Sequence, residues 1–115
     1  MVRRQGTYEA EERQNMRGGT GTVRIEHYWK KGDLLAKTRL CARLIVPPGA
    51  SIGPHSHDQE EEVYIVLRGR ARISEADTAF EVGPGDSVLT GNGASHAVEN
   101  IGTEPLEMLA FIAQY

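Results

Sequence analysis

Apolar and polar side chains alternate along most of the chain beyond residue 21, and a period of two marks strands with one buried face. The alternation is clearest over 38–46, where Leu40, Ala42, Leu44 and Val46 fall on one face and Arg39, Cys41, Arg43 and Ile45 on the other. It recurs in Leu106, Met108, Ala110 and Ile112. Between such runs stand Pro47-Pro48-Gly49, Gly69, Gly83-Pro84-Gly85-Asp86, Gly91-Asn92-Gly93 and Asn100-Ile101-Gly102, residue types that supply turns and end strands. The pattern predicts nine strands, over 22–28, 38–46, 51–55, 62–68, 70–75, 79–82, 87–89, 95–99 and 106–113. No stretch beyond residue 21 holds a helical period for ten residues, so the fold class read from the pattern is all-β, with short strands closed or sandwiched around one core.

Residues 1–21 have a different texture. They are polar, with the charged run Glu9-Ala10-Glu11-Glu12-Arg13 followed by Gly18-Gly19-Thr20-Gly21, and they read as an N-terminal arm preceding a domain over 22–115. A short helix is expected over 8–16. The glycine cluster is not followed by Lys and Ser or Thr and opens no helical pattern, so it reads as flexible spacing rather than a phosphate loop.

Composition narrows the function classes. A chain of 115 residues has room for one domain and a sizeable core. Thirteen basic against sixteen acidic residues give a formal charge of -3, without the basic excess a nucleic-acid binder needs. The one cysteine, Cys41, excludes an internal disulfide framework and a multi-cysteine zinc site. No apolar run approaches the length of a membrane span, and the start Met1-Val2-Arg3-Arg4-Gln5 lacks the apolar stretch of a secretory signal. The expectation is a cytoplasmic protein with neither nucleic acid nor membrane among its partners.

Candidate chemistry concentrates in three of the four histidines. His55 and His57 are two apart in an extended segment and so point to one face. Glu62 opens a strand just beyond them, and His96 begins another after Gly91-Asn92-Gly93. Three imidazoles and a carboxylate suit a first-row divalent metal, whether manganese, iron, nickel, cobalt or zinc. Four protein ligands leave two positions of an octahedral ion free for water, dioxygen or a substrate oxygen. Tyr64 and Val66 share the strand face of Glu62 and are expected to line the interior above it, with Tyr64 in a packing role. His27 is given a structural or solvated role, and Glu60 and Glu61 are read as a solvated charge cluster. Cys41 is expected to be a small buried hydrophobe. The pairs Arg39 with Arg43 and Arg70 with Arg72 each share a strand face; exposed faces explain them, with a clamp for carboxylate or phosphate as the other reading. Trp29 is expected to cap the barrel or join an interface.

The same residues resemble the cupin superfamily. Gly49, five residues, His55-x-His57, four residues, Glu62, six residues and Gly69 match its first motif at every fixed position. Gly85, five residues, Gly91-x-Gly93, two residues, His96, three residues and Asn100 are similar to its second, with Gly91 in place of the usual proline. The resemblance implies a small single-domain β-barrel of jelly-roll type, with His55, His57, Glu62 and His96 as the metal set facing inward. It also implies a homodimer, since small cupins commonly pair through sheet faces or exchanged strands. Two functions follow as expectations. One is an enzyme acting on a small polar metabolite through the ion, of dioxygenase, isomerase or lyase type; the other is a non-catalytic module that binds or senses a sugar or carboxylate.

Overall fold

The computed structural model describes residues 1–115. Its strands are β1 Glu9–Gln14, β2 Thr22–His27, β3 Thr38–Val46, β4 Ser51–Ser56, β5 Glu60–Arg68, β6 Ala71–Glu75, β7 Thr78–Val82, β8 Ser87–Gly91, β9 Ser95–Asn100 and β10 Leu106–Gln114. They form two sheets, one of six strands in the order β1-β2-β3-β10-β5-β8 and one of four in the order β4-β9-β6-β7. Every pairing is antiparallel. The architecture is the all-β jelly roll that the alternation and the motifs implied.

The inward residues of the two sheets make the core. Ala42, Leu44 and Val46 of β3 are buried at positions the alternation selected, and Leu106, Met108, Ala110 and Ile112 of β10 lie beside them. Ile52 of β4, Ile73 of β6 and Val98 of β9 close the core from the smaller sheet. Each fully buried Leu or Ile contributes about 1.5–3 kcal/mol relative to an exposed one, so this interior holds together independently of the polar cluster at one end.

Two expectations need correction. Residues 8–16 are not helical, because Glu9–Gln14 form β1, paired with β2 from Glu9 opposite His27 to Gln14 opposite Thr22. Asn15 and Arg17, with φ of 54° and 55°, turn the chain by left-handed steps that a continuing helix does not permit. The open backbone edge of β2 outweighs the weak helical preference of the charged run. Cys41 is not a core residue: it is half-buried on the outer face of the larger sheet, and desolvation there pushes its thiol pKa up. Phe111, Val63 and Leu89 continue that outer row across β10, β5 and β8, with Leu89 63% exposed. Trp29 lies under the guanidinium of Arg3, whose Cζ is 4.4 Å from the ring centroid. Arg70 and Arg72 pair with Glu81 and Glu99 on the smaller sheet.

Candidate metal centre

The two sheets meet in a polar cluster that both help to build. His55 is the next-to-last residue of β4, His57 lies just past its end, and His96 is directly opposite His55 on β9. Glu62 reaches them from β5 of the larger sheet. A bulge between Ile52 and His55 makes this possible. His55 comes three positions after Ile52, an odd step that would send the two side chains to opposite faces, and the irregularity at Gly53-Pro54 returns His55 to the inner face. His57 is fixed by its backbone, whose N–H donates to the Ala94 carbonyl at 3.0 Å while its own carbonyl accepts from Gly93 at 2.8 Å.

The four side chains converge on one point. His57 Nε2 to His96 Nε2 and His96 Nε2 to His55 Nε2 are each 3.0 Å. Glu62 Oε1 is 3.0 Å from His57 Nε2, 3.0 Å from His96 Nε2 and 3.9 Å from His55 Nε2. All four donor atoms lie within 4.8 Å of one another. His57, Glu62 and His96 are buried. The outer nitrogens fix the tautomers: His55 Nδ1 donates to the Gly53 carbonyl at 2.8 Å and His57 Nδ1 to Glu60 Oε2 at 2.6 Å. A neutral imidazole so held turns its Nε2 lone pair into the cluster. Glu62 Oε1 has no hydrogen-bond partner there, nor has His96 Nδ1 on the far side of its ring.

Glu60, like Cys41, departs from its expected environment. It is buried, not solvated, because β5 starts two residues earlier than expected and its alternation puts Glu60, Glu62, Tyr64 and Val66 on one inner face. Arg39 grips it with two bonds, Nε to Oε1 at 2.8 Å and Nη2 to Oε2 at 2.7 Å. That grip, working against burial and joined by the bond from His57, holds the Glu60 carboxyl at about 2. Glu61, on the outward step, is exposed as expected. The signal for Glu60 was present in the sequence as its two-residue offset from Glu62.

A cupin-domain family model matches residues 42–112, which include every residue of the cluster. The chain belongs to the cupin family. An oxalate-binding protein from Thermotoga maritima is 39% identical over 112 residues, spanning 97% of this chain and 93% of its own. The crystal structure of a predicted oxalate decarboxylase, also from Thermotoga maritima, matches with a TM-score of 0.95 at 38% identity over all of both chains. A cupin 2 conserved barrel protein from Salinispora arenicola shares the fold at 24% identity, with a TM-score of 0.77 over 99% of this chain and 88% of its own.

The electrostatics of this cupin's cluster follow from its burial. Desolvation works to raise the Glu62 carboxyl, but the three imidazoles beside it outweigh that and hold it well below the usual carboxylate range. His57 is raised, chiefly by its interaction with Glu62 and, against desolvation, also by Glu60. Tyr64 stacks on His96, with ring centroids 5.0 Å apart and planes within 2°. Its hydroxyl is 3.5 Å from His96 Nε2, and burial followed by the Glu62 charge raises its pKa well above the usual value. Packing is thus joined by a place at the cluster.

A cavity of about 110 Å³ opens beside the cluster. Ile25, Leu40, Leu44 and Ile112 form its apolar wall, and Arg13, Arg17, His27 and Arg39 its cationic side. His27, which carried no site role in the sequence, therefore faces the cavity, with Glu11 3.8 Å from its Nε2. Arg39 and Arg43 separate in function: Arg39 braces Glu60, whereas Arg43 pairs with Glu26 and Glu107 on the outer face. Gly91, the departure from the second motif, lies opposite Glu61, where a Cβ would come 2.7 Å from the Glu61 Cβ. Asn100 braces the turn after β9, donating to the carbonyls of Val46 at 2.8 Å and Glu104 at 2.9 Å.

Proposed function

We propose that this cupin binds one divalent metal ion through His55, His57, Glu62 and His96 and uses it to hold a small carboxylate, of the oxalate type, in the adjoining cavity. The observation that carries the metal is the donor spacing. Two donors at right angles, each about 2.1 Å from one ion, stand about 3.0 Å apart, against about 3.4 Å for a tetrahedral set. Four of the six separations among these donors are 3.0 Å, a fifth is 3.9 Å, and all lie within 4.8 Å. A bound cation would also resolve the chemistry of the cluster, where a buried carboxylate oxygen without a hydrogen-bond partner faces imidazole lone pairs. When bound, the ion supplies Lewis acidity and exchangeable positions for an anionic ligand.

The chain's own residues would do the rest. Glu60 and the Gly53 carbonyl hold two imidazoles in the ligating tautomer, and Arg39 holds Glu60. The apolar wall restricts water on one side of the ligand while the cationic side of the cavity faces its charge. The oxalate-binding relative, similar over almost its whole length, supports the ligand class. Titrating the Mn²⁺-loaded protein with oxalate by calorimetry tests the proposal: binding should require the metal and disappear in the His57→Ala, His96→Ala double variant. Oxalate binding that ignores both the metal and these substitutions would defeat it.

Turnover is a second reading, favoured by the full-length match to a predicted oxalate decarboxylase and by the Tyr64 hydroxyl at the cluster. Its test is the release of carbon dioxide and formate from oxalate. We also propose a homodimer. β1 is exposed along its whole length, and the apolar row Cys41, Phe111, Val63 and Leu89 lies uncovered on the larger sheet. An edge and a patch of this kind are suited to a second copy of the chain. A cytoplasmic site of action stays part of this proposal; no helix is long and apolar enough to cross a membrane.

A further inference from the structure

Three arginines face the cavity, and two are already neutralised. Arg39 is held by Glu60, and Arg13 pairs with Glu11 at 2.7 Å. Arg17 makes no ion pair with any residue of the chain. Its backbone sits at φ 55° and ψ 29°, a left-handed conformation that is unfavourable for a non-glycine residue and persists only where the surroundings impose it.

The surroundings are two glycines. The turn Met16–Gly18 lies flat on β4, so close that a Cβ on Gly19 would stand 2.3 Å from the Ser51 carbonyl oxygen and one on Gly53 2.1 Å from that of Arg17. The Ser51 N–H donates to the Thr20 carbonyl at 2.9 Å, and the Thr20 N–H donates to Ser51 Oγ at 3.0 Å, which fastens the turn just past Arg17. What the sequence offered as a flexible glycine spacer is thus a docked segment that presents one uncompensated cation beside the metal cluster.

Resting on the metal reading above, we propose that Arg17 is the second anchor of the ligand and makes the site selective for dianions, with Gly19 as a positioning residue. A divalent ion against the single Glu62 carboxylate leaves one positive charge, and Arg17 supplies another. A ligand with two carboxylates balances both, one at the ion and one at the guanidinium; a monocarboxylate satisfies the ion alone. Charge-assisted bonds of guanidinium to carboxylate are the strong kind, and the planar fork of Arg meets a carboxylate with two donors.

Calorimetric titration of Mn²⁺-loaded protein with oxalate and with glycolate, a monoanion of similar size, tests this, with metal content measured on the same samples. Arg17→Gln should weaken oxalate binding by about tenfold or more, leave glycolate nearly unchanged and keep the metal. Gly19→Ala should lower oxalate affinity with the same selectivity, and Arg17→Lys should recover part of the loss. An Arg17→Gln protein that holds full metal and binds oxalate like the wild type overturns the assignment of Arg17 while leaving the metal reading intact. Loss of metal from that variant also overturns it, by making Arg17 structural. A wild type that takes up no metal overturns the metal reading and this proposal with it.

Discussion

Replacing Glu60 by Gln keeps the side chain's shape and removes its charge, which isolates what the carboxylate does for His57. In the wild type it accepts His57 Nδ1–H at 2.6 Å and two N–H groups of Arg39 at 2.8 and 2.7 Å. Its carboxyl is held at about 2 against an ordinary 4.5, a difference that corresponds to about 3 kcal/mol of interaction favouring the charged form. The Arg39 side chain is 36% exposed, so solvent screens part of this, and a net loss of about 1–2 kcal/mol is expected in Glu60→Gln. The sign is that of a depressed carboxyl: the stabilisation is fully present above 4.5 and is lost as pH falls through about 2. Wild type and variant should therefore differ near neutral pH and converge in acid. Metal affinity should fall about 10–100-fold, the usual cost of losing a partner that orients a ligating histidine. Competition with a chelator near pH 7 measures that loss, and Glu61→Gln, an exposed neighbour, should behave as wild type. A Glu60→Gln affinity within about twofold of the wild type would refute this reasoning, since a carboxylate acceptor would then do nothing that an amide cannot.

Protons should compete with the ion for the histidines. In the metal-free protein His57 is raised, so its contribution is present below about 6.5 and is lost as pH rises through its folded value; ligation acts oppositely, and metal stabilisation fades as pH falls. The gap between holo and apo melting temperatures should be wide near pH 8, with about 4 kcal/mol supplied at a thousandfold excess of free metal over its dissociation constant, and narrow toward pH 5; an equal gap at both values would contradict the ligand set. Light scattering should give about twice the 12.7 kDa chain mass, and a monomer at micromolar concentration would rule out the homodimer. Elemental analysis of Tyr64→Phe should show undiminished metal, because its hydroxyl lies 3.5 Å from His96 Nε2 without being one of the four donors; loss of the ion would give Tyr64 a ligating role.

The fold was legible where burial imposes a period. Ala42, Leu44 and Val46 are inward because strict alternation leaves no other register, and the same logic placed β10. The four clustered residues were legible because their spacing is tied to strand geometry, His55 and His57 two apart at the end of β4 and His96 across from them on β9, although the bulge that returns His55 to the inner face leaves no clear mark beyond Gly53-Pro54. Glu60 was not, because a run of three glutamates reads as a solvated surface until the start of β5 is known. Arg17 was hidden for another reason: its position depends on two glycines 34 residues apart, Gly19 and Gly53, meeting across a packed turn. β1 was misjudged because its side chains are all exposed, so the backbone edge of β2, which no side-chain pattern records, decided its structure.

The measurement that bears most directly on the metal centre is elemental analysis of protein purified without a metal-affinity tag and dialysed against excess Mn²⁺, alongside the His57→Ala, His96→Ala double variant. About one divalent ion per chain in the wild type, and almost none in a variant that still melts cooperatively, is the predicted result. A wild type without metal, or a double variant with full occupancy, would contradict the assignment of His55, His57, Glu62 and His96 to the ion.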